Sequence, residues 1–240
     1  LLAFPDKVGV AVITAEPARV LDGATLSRLG HDLRSPLTGI VSLAGLMRRK
    51  IASGGADPVQ QDRQLEMLAD SAAGLLTTIE RVVTLARLEG PVGESPAVID
   101  CGAVVASVVS SLAPLAADHG RHLHASTSPA PAAITPAAAQ LIVTELLDNA
   151  IKYSSAADIE VTVTGSVITV ADHGPGLAAG EQQRIFQPFE RGAAAEEREV
   201  AGSGLGLTLA HRATVRHGGT LDLATGPDGT VFTVTLPLVS

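Results

Sequence analysis

Apolar residues recur in steps of three and four through the first third of the chain. Leu26, Leu29, Leu33, Leu37, Ile40, Ala44, Met47 and Ile51 keep that spacing, and at about 100° per residue they fall within a sector of roughly 80°. The spacing predicts a helix over residues 25–51. A second stripe, Leu65, Leu68, Ala72, Leu75, Ile79, Val82, Leu85 and Leu88, predicts another over residues 59–88. Between them, Ser53-Gly54-Gly55-Ala56-Asp57-Pro58 is a turn, glycine ending one helix and proline opening the next. Two long helices on a short turn make an antiparallel hairpin. A strict three-four repeat is the narrow seam of a bundle. One hairpin cannot cover both of its seams, whereas two copies paired as a four-helix bundle can, so a homodimer is expected.

The period changes beyond residues 89–96, where Gly90, Pro91, Gly93 and Pro96 mark a domain boundary. A helix fits 102–118 and a strand 121–126. A loop with Pro129, Pro131 and Pro136 follows, then a helix over 137–153. Residues 159–164 and 167–170 alternate at period two around Gly165-Ser166, which is a hairpin. A helix fits 204–217, and strands at 220–224 and 230–236 flank Gly226 to Gly229. This order gives an α/β sandwich, one sheet with helices on one face. Residues 1–23 read as a linker or the remnant of an upstream domain, with a strand-like stub at 8–14. The chain thus divides into that linker, a helical domain at 24–90 and an α/β domain at 97–240.

Composition narrows the function. Hydrophobic residues make up 46% of the chain, enough for a real core, but aromatics only 2%, with no Trp and one Tyr. The core must be Leu, Val, Ile and Ala, and base-stacking platforms are disfavoured. A charge of 17 − 25 = −8 without a basic run argues against nucleic acid as a partner. The one cysteine, Cys101, excludes an internal disulfide framework and a Cys-rich zinc site, and the simplest compartment is a reducing one. No uninterrupted apolar run approaches membrane-spanning length, so no membrane contact by this segment is expected. Pro5, Asp6 and Lys7 break the apolar opening stretch, which does not read as a signal peptide. The first residue is Leu, and a piece of a longer protein is expected.

Four segments carry chemistry. In Leu29-Gly30-His31-Asp32-Leu33-Arg34-Ser35-Pro36-Leu37, His31 lies roughly 160° from the leucine stripe and projects into solvent, with Ser35 on the same side. It is an ordinary surface histidine or a nucleophile whose second ring nitrogen Asp32 holds. Pro36 inside a strong helical pattern, one turn on, favours function. Glu145, Asn149 and Lys152, spaced by four and three, share one helical face. That face is either simply solvated or an oxygen site for a hard cation such as Mg²⁺, with Lys152 near phosphate oxygens. Asp172-His173-Gly174-Pro175-Gly176 follows a strand. It is a plain strand-ending turn or a close-approach loop whose Asp172 accepts a hydrogen bond from an exocyclic amine. Gly202-Ser203-Gly204-Leu205-Gly206-Leu207 opens a helix and would suit a phosphate, or is a flexible cap. It lacks the Gly-Lys-Ser/Thr ending of a Walker loop, and it fails as a dinucleotide fingerprint. Residues 191–201 read as a mobile lid hinged on Phe186 and Phe189, or as a plain surface loop.

Taken together, His-Asp-Leu-Arg-Ser-Pro-Leu, Glu-Leu-Leu-Asp-Asn-Ala-Ile-Lys-Tyr-Ser, Asp-His-Gly-Pro-Gly, Phe-Gln-Pro-Phe-Glu-Arg and Gly-Ser-Gly-Leu-Gly-Leu resemble the H, N, G1, F and G2 boxes of bacterial two-component sensor histidine kinases, over about residues 24–238. The resemblance implies a dimerisation and phosphoacceptor hairpin followed by a catalytic domain of the histidine kinase, gyrase and chaperone ATPase type. It implies His31 as the phosphorylated residue and Asp32 as its acid–base partner. Asn149 would bind Mg²⁺ with Glu145 assisting, and Lys152 and Tyr153 would line an ATP pocket. Asp172 would read adenine, with Gly174 and Gly176 shaping the pocket. Phe189, Gly202, Gly204, Leu205 and Gly206 would belong to the lid and the phosphate end. The implied partner is a response regulator receiver domain, and the expected setting a cytoplasmic segment of a parent protein that a membrane anchor could hold. Two positions depart from the pattern: His173 stands where Asn is common, and Ser35 where Thr or Asn is common. The resemblance ties the Ser35 position to dephosphorylation of the partner, and Ser35 is shorter than Asn and lacks the methyl of Thr. Two other functions share these features: an ATP hydrolase of the same fold using Glu145 as general base, and a non-catalytic dimeric signalling scaffold.

Overall fold

The computed structural model describes residues 9–12, 23–55, 57–90, 96–178, 180–193 and 202–238. The chain forms two compact units that divide between Ala86 and Arg87.

The helical unit holds α1 (Gly23–Ala52) and α2 up to Ala86, α2 as a whole running Pro58–Glu89. Gly54, at φ 72°, ends the first helix, and the Asp57 carboxylate accepts the N–H of Val59 at the start of the second (3.1 Å). Lys50 Nζ donates to Gln60 Oε1 across the turn (2.7 Å). Only part of each apolar stripe is covered within one chain. Met47 and Leu85 are buried, whereas Leu26, Leu37, Ile51, Leu65 and Ile79 are 43–56% exposed. Gly39, Ser42, Leu43 and Leu46 on α1 line a groove of about 350 Å³ with Met67 and Ser71 on α2.

The second unit is the α/β sandwich. Its elements are β1 (Gly9–Val12), β2 (Ala97–Asp100), α3 (Cys101–Asp118), β3 (His122–Thr127), β4 (Pro131–Ile134), α4 (Pro136–Tyr153), β5 (Asp158–Thr164), β6 (Val167–Asp172), a 3-10 turn at Arg184–Phe186, α5 (Gly206–Arg216), β7 (Thr220–Gly226) and β8 (Gly229–Thr235). Six strands form one sheet in the order β1-β7-β8-β6-β5-β3, parallel only between β3 and β5. Alternation decides its faces. Ile159, Val161, Val163, Ile168, Val170, Leu221, Leu223, Phe232 and Val234 are buried in one core with Val105 and Val108 of α3, Ile142, Leu146 and Ile151 of α4 and Ala210 and Ala213 of α5. The opposite face carries Thr162, Thr169 and Thr233 in register.

Three expectations change. The stub near the N-terminus is not free of the α/β domain, because Gly9–Val12 pairs antiparallel with Asp222–Thr225 of β7. The proline loop contains a strand: Pro131–Ile134 pairs with Ala97–Asp100 as a separate two-stranded sheet, and Pro131 is tolerated as the first residue of its strand. Asp100 fixes this corner. Its Oδ1 accepts the N–H groups of Ala130 and Gly102, both at 2.9 Å, and they hold its carboxyl below the usual value. Finally, the last turn of α2 belongs with the second unit. Leu88 packs against that unit's core, and Arg216 Nη1 donates to the carbonyls of Leu88 and Gly90. Residues 91–95 of the expected linker lie outside the described residues.

Among the described residues, α3 is long and apolar enough by composition to cross a membrane, at a mean hydropathy of 1.6. In the fold, its Cys101, Val105, Val108 and Ala116 are core residues of the sandwich.

Gly176 stands at φ 68°, and a Cβ there would lie 1.9 Å from the Gly226 carbonyl oxygen in the β7–β8 turn. Gly176→Ala is therefore expected to destabilise the domain by about 3 kcal/mol or more, through a strained backbone and a clash that backbone must absorb. A lower denaturation midpoint in urea checks it.

Candidate functional site

In the helical unit, the His31 side chain is 82% exposed and its Nδ1 lies 3.4 Å from Asp32 Oδ1, Asp32 itself being 40% exposed. The geometry leaves Nε2 outward, on the side away from the carboxylate. Pro36 sits within α1 and has no N–H to give the Asp32 carbonyl, and the Thr38 hydroxyl donates back to Arg34 O at 2.7 Å. Ser35 is exposed on the same helix.

In the sandwich, α4 begins at the Thr135 cap, whose hydroxyl accepts the Ala138 N–H (3.3 Å). Its core face (Val143, Leu146, Leu147, Ala150) is at most 1% exposed. Glu145 is on no solvated face: it is 6% exposed, and its Oε2 lies 2.6 Å from where a Cβ on Gly206 would stand. The carboxylate is therefore seated at the first residue of α5. Asn149, one turn along, is half-buried. The Lys152 ammonium pairs with Asp148 on its own helix at 2.6 Å, a partner the sequence left unassigned. The Tyr153 phenol is hydrogen-bonded to the Arg191 guanidinium. Burial holds the phenol above its ordinary value, and Arg191 partly offsets this.

Asp172 closes β6 with its side chain buried. Its Oδ1 accepts the Gly174 N–H at 2.7 Å, and the Thr230 N–H also reaches the carboxylate. Burial nevertheless pushes this carboxyl up from 3.8 to about 6, the N–H of Gly174 and nearby His173 pulling the other way. A Cβ on Gly174 would stand 2.7 Å from the Tyr153 carbonyl oxygen, so the loop lies directly on the end of α4. Ser155 N–H donates to His173 O (3.0 Å), and Leu177 N–H to Thr225 Oγ1 (3.0 Å).

The glycine run does not act uniformly. Among the described residues nothing lies within 4 Å of a Cβ on Gly202, whereas Gly204, at φ 67°, would drive a Cβ within 2.9 Å of Phe189 backbone. Phe189 N–H donates to Gly204 O (3.1 Å) and itself stands at φ 62°. Leu205 is fully buried, so only its backbone is available to a ligand. Phe186 is buried edge-on to Phe232 with ring centroids 6.4 Å apart, and its carbonyl accepts the Thr208 hydroxyl (3.0 Å). Of the expected lid, residues 194–201 lie outside the described residues.

Comparison with known proteins matches residues 23–91 to the His Kinase A (phospho-acceptor) domain and residues 135–240 to the histidine kinase-, DNA gyrase B- and HSP90-like ATPases. The chain is 28% identical to the probable sensor histidine kinase TcrY of Mycobacterium tuberculosis, over 97% of this chain and 49% of TcrY. It is 29% identical to the sensor histidine kinase CpxA of Escherichia coli, over 89% of this chain and 46% of CpxA. The fold resembles that of the Acinetobacter baumannii histidine kinase AdeS, with a TM-score of 0.66, 22% identity, and 88% of this chain and 98% of that one covered. The chain joins a His Kinase A phospho-acceptor domain to a histidine kinase-type ATPase domain. It spans about half the length of these two curated relatives.

This histidine kinase core thus collects Glu145, Asn149, Tyr153, Asp172, Gly174, Gly204 and Gly206 in one unit and carries His31 and Asp32 in the other. Sequence reasoning missed three contributors to the catalytic unit. Thr230 lies opposite Asp172 in the β6–β8 register, and Thr225 contacts Thr230 at 3.3 Å, both buried behind the carboxylate. Their signal was the Gly229-Thr230 step after the turn, read only as a strand start. Glu181 accepts Ala178 N–H (2.9 Å) and Ala193 N–H (2.6 Å), tying the loop after Gly176 to the segment after Phe189. An isolated Glu in a loop gives no periodic signal of such a role.

Among the described residues no group of three or more His, Cys, Asp or Glu could hold a metal. A Mg²⁺ ion takes one or two protein oxygens and completes its shell with water and substrate phosphates, and the Glu145 carboxylate with the Asn149 amide oxygen fits that need. Gly206→Ala puts a methyl 2.6 Å from Glu145 Oε2 and must displace that carboxylate. The expected result is weakened nucleotide binding with a thermal midpoint little changed, read by nucleotide titration beside a melt.

Proposed function

We propose that this chain is the catalytic core of an ATP-dependent protein-histidine kinase that phosphorylates His31 and passes the phosphoryl group to an aspartate of a response regulator receiver domain. The observation that carries the reading is His31 itself: an imidazole standing in solvent with Nδ1 turned to Asp32 and Nε2 outward, in one chain with a buried carboxyl, Asp172, beside a glycine loop. Asp172 offers an acceptor held out of water, which the exocyclic amine of adenine would satisfy. The N-terminal amides of α5 and the Glu145–Asn149 edge of α4 receive the phosphate end. Glu145 and Asn149 would hold Mg²⁺, which when bound would neutralise charge on the transferred group.

The Nε2 lone pair forms the N–P bond as the bond from the γ-phosphorus to the bridging oxygen breaks, and ADP leaves with that electron pair. Asp32 holds the Nδ1 proton and stabilises the positive charge that develops on the ring. The phosphohistidine then donates to the regulator, which docks on the hairpin around His31. Ser35 lies one turn beyond His31 on the same helix, exposed. Two copies pair through the uncovered residues Leu26, Leu37, Leu65 and Ile79 to complete a four-helix bundle. The core works on the cytoplasmic side of a longer, membrane-anchored parent.

The test is incubation with Mg-ATP labelled in the γ position. Acid-labile, alkali-stable label on the chain, abolished by EDTA, is expected. Steady release of phosphate without labelled protein, lost in Glu145→Ala, would identify an ATP hydrolase instead.

A further inference from the structure

Arg216 is the last residue of α5 and stands at the exit of α2. Its Nη1 donates to the Leu88 carbonyl and to the Gly90 carbonyl, the latter at 2.8 Å. These are among the carbonyls that the end of a helix leaves without an intrahelical donor. Gly90 N–H closes the same turn on Arg87 O (3.2 Å), and the Leu88 side chain packs against the sandwich core. The guanidinium therefore lies at the negative end of the α2 dipole, where a fixed cation is favoured over any neutral group. What it reads is backbone, so no side chain at position 88 or 90 supplies the polar half of the contact. The specificity rests on Arg216.

The other end of α5 is Gly206, against the Glu145 carboxylate. The intervening 11 residues rise about 16 Å, and Thr208, Leu209, Ala210, His211, Ala213 and Thr214 are buried along them. The helix is packed along that side. One end faces the phosphate site and the other holds the final turn of the element that leads from the hairpin.

We propose that Arg216 is a positioning residue for phosphoryl transfer: it fixes the last turn of α2 on the C-terminal end of α5, whose other end carries Gly206, without touching nucleotide. This rests on the kinase reading above. It separates two properties that a merely structural residue would move together, the affinity for nucleotide and the rate of transfer to His31.

The experiment uses the 240-residue chain with Arg216→Met and Arg216→Lys. Methionine keeps the aliphatic stem and removes the charge and both donors. Lysine keeps the charge but not the forked donor. Affinity for a fluorescent ATP analogue is expected to stay within about twofold, while His31 phosphorylation at saturating ATP falls about tenfold in Arg216→Met and less in Arg216→Lys. A variant rate within about twofold of the parent, or a parallel loss of nucleotide affinity, overturns the proposal. If Arg216→Met does not fold, Arg216→Lys decides alone, and an unaltered rate at saturating ATP overturns it. An unlabelled parent chain overturns the kinase reading and this inference with it, whereas a labelled parent with an equally fast variant overturns only this one.

Discussion

Replacing His31 with glutamine leaves the chain unlabelled by the γ-phosphate of ATP, below about 1% of the parent rate, while nucleotide still binds. The expectation of an intact fold is physical. The His31 side chain is 82% exposed and its neighbour is Asp32 at 3.4 Å, so glutamine forfeits almost no packing, and exposed substitutions of this kind stay within about 0.5 kcal/mol. The residues proposed to hold nucleotide lie in the other compact unit. Loss of label with retained binding and an unchanged melt therefore isolates the acceptor. Label persisting in His31→Gln would mean that another residue accepts the phosphoryl group, and the assignment of His31 would fall.

Asp172→Asn gives two opposite effects, and their coincidence is the useful signature. Nucleotide affinity drops by roughly 100-fold or more, because the amide NH₂ presents a donor where the carboxylate presented an acceptor to an exocyclic amine. Stability rises. The Asp172 carboxyl is raised from 3.8 to about 6 by burial, so the folded state binds its proton more tightly than the unfolded chain does. Such a group favours the folded state fully below its unfolded value, and that contribution is lost as pH climbs through about 6. Near neutrality the ionised side chain then costs up to about 3 kcal/mol, which asparagine removes. The stability gap between variant and parent should be widest near neutral pH and close as the pH is lowered towards 4, roughly the unfolded value. The parent's nucleotide affinity should also weaken below about pH 6, as the acceptor is protonated. Denaturant titrations at several pH values read the first effect and nucleotide titrations the second. A variant less stable than the parent at neutral pH would contradict the account of Asp172 as a carboxylate buried at a cost.

The helices and the period-two strands of this protein were legible because each buries one face against one layer. Residues 159–164 alternate in sequence and in burial alike. The strand at Pro131–Ile134 was not legible, because what makes it a strand is a partner thirty-odd residues upstream and the Asp100 carboxylate that ties Ala130 in place. Propensity alone reads three prolines as a loop. The site divides in the same way. His31, Asn149, Asp172 and the glycines stood out by residue type and spacing. Glu145 was placed on the right helix, yet its burial against Gly206 depends on how α5 returns to α4. Glu181, Thr225 and Arg216 act through contacts with backbone or hydroxyl groups far along the chain, and no local pattern announces such a contact. The division between Ala86 and Arg87 was hidden for the same reason: α2 continues without a break in its heptad-like stripe, and only the docking of Leu88 and the Arg216 bonds assign its last turn to the other unit.

The hydrogen bond between Tyr153 and Arg191 has a practical consequence. The chain has no tryptophan and a single tyrosine, so its ultraviolet emission comes almost entirely from one phenol at the end of α4, beside the loop that follows Asp172. Quenching by the adjacent guanidinium should change when a ligand parts the two. That phenol would then serve as an optical reporter of the proposed nucleotide site, usable in stopped-flow work without any dye.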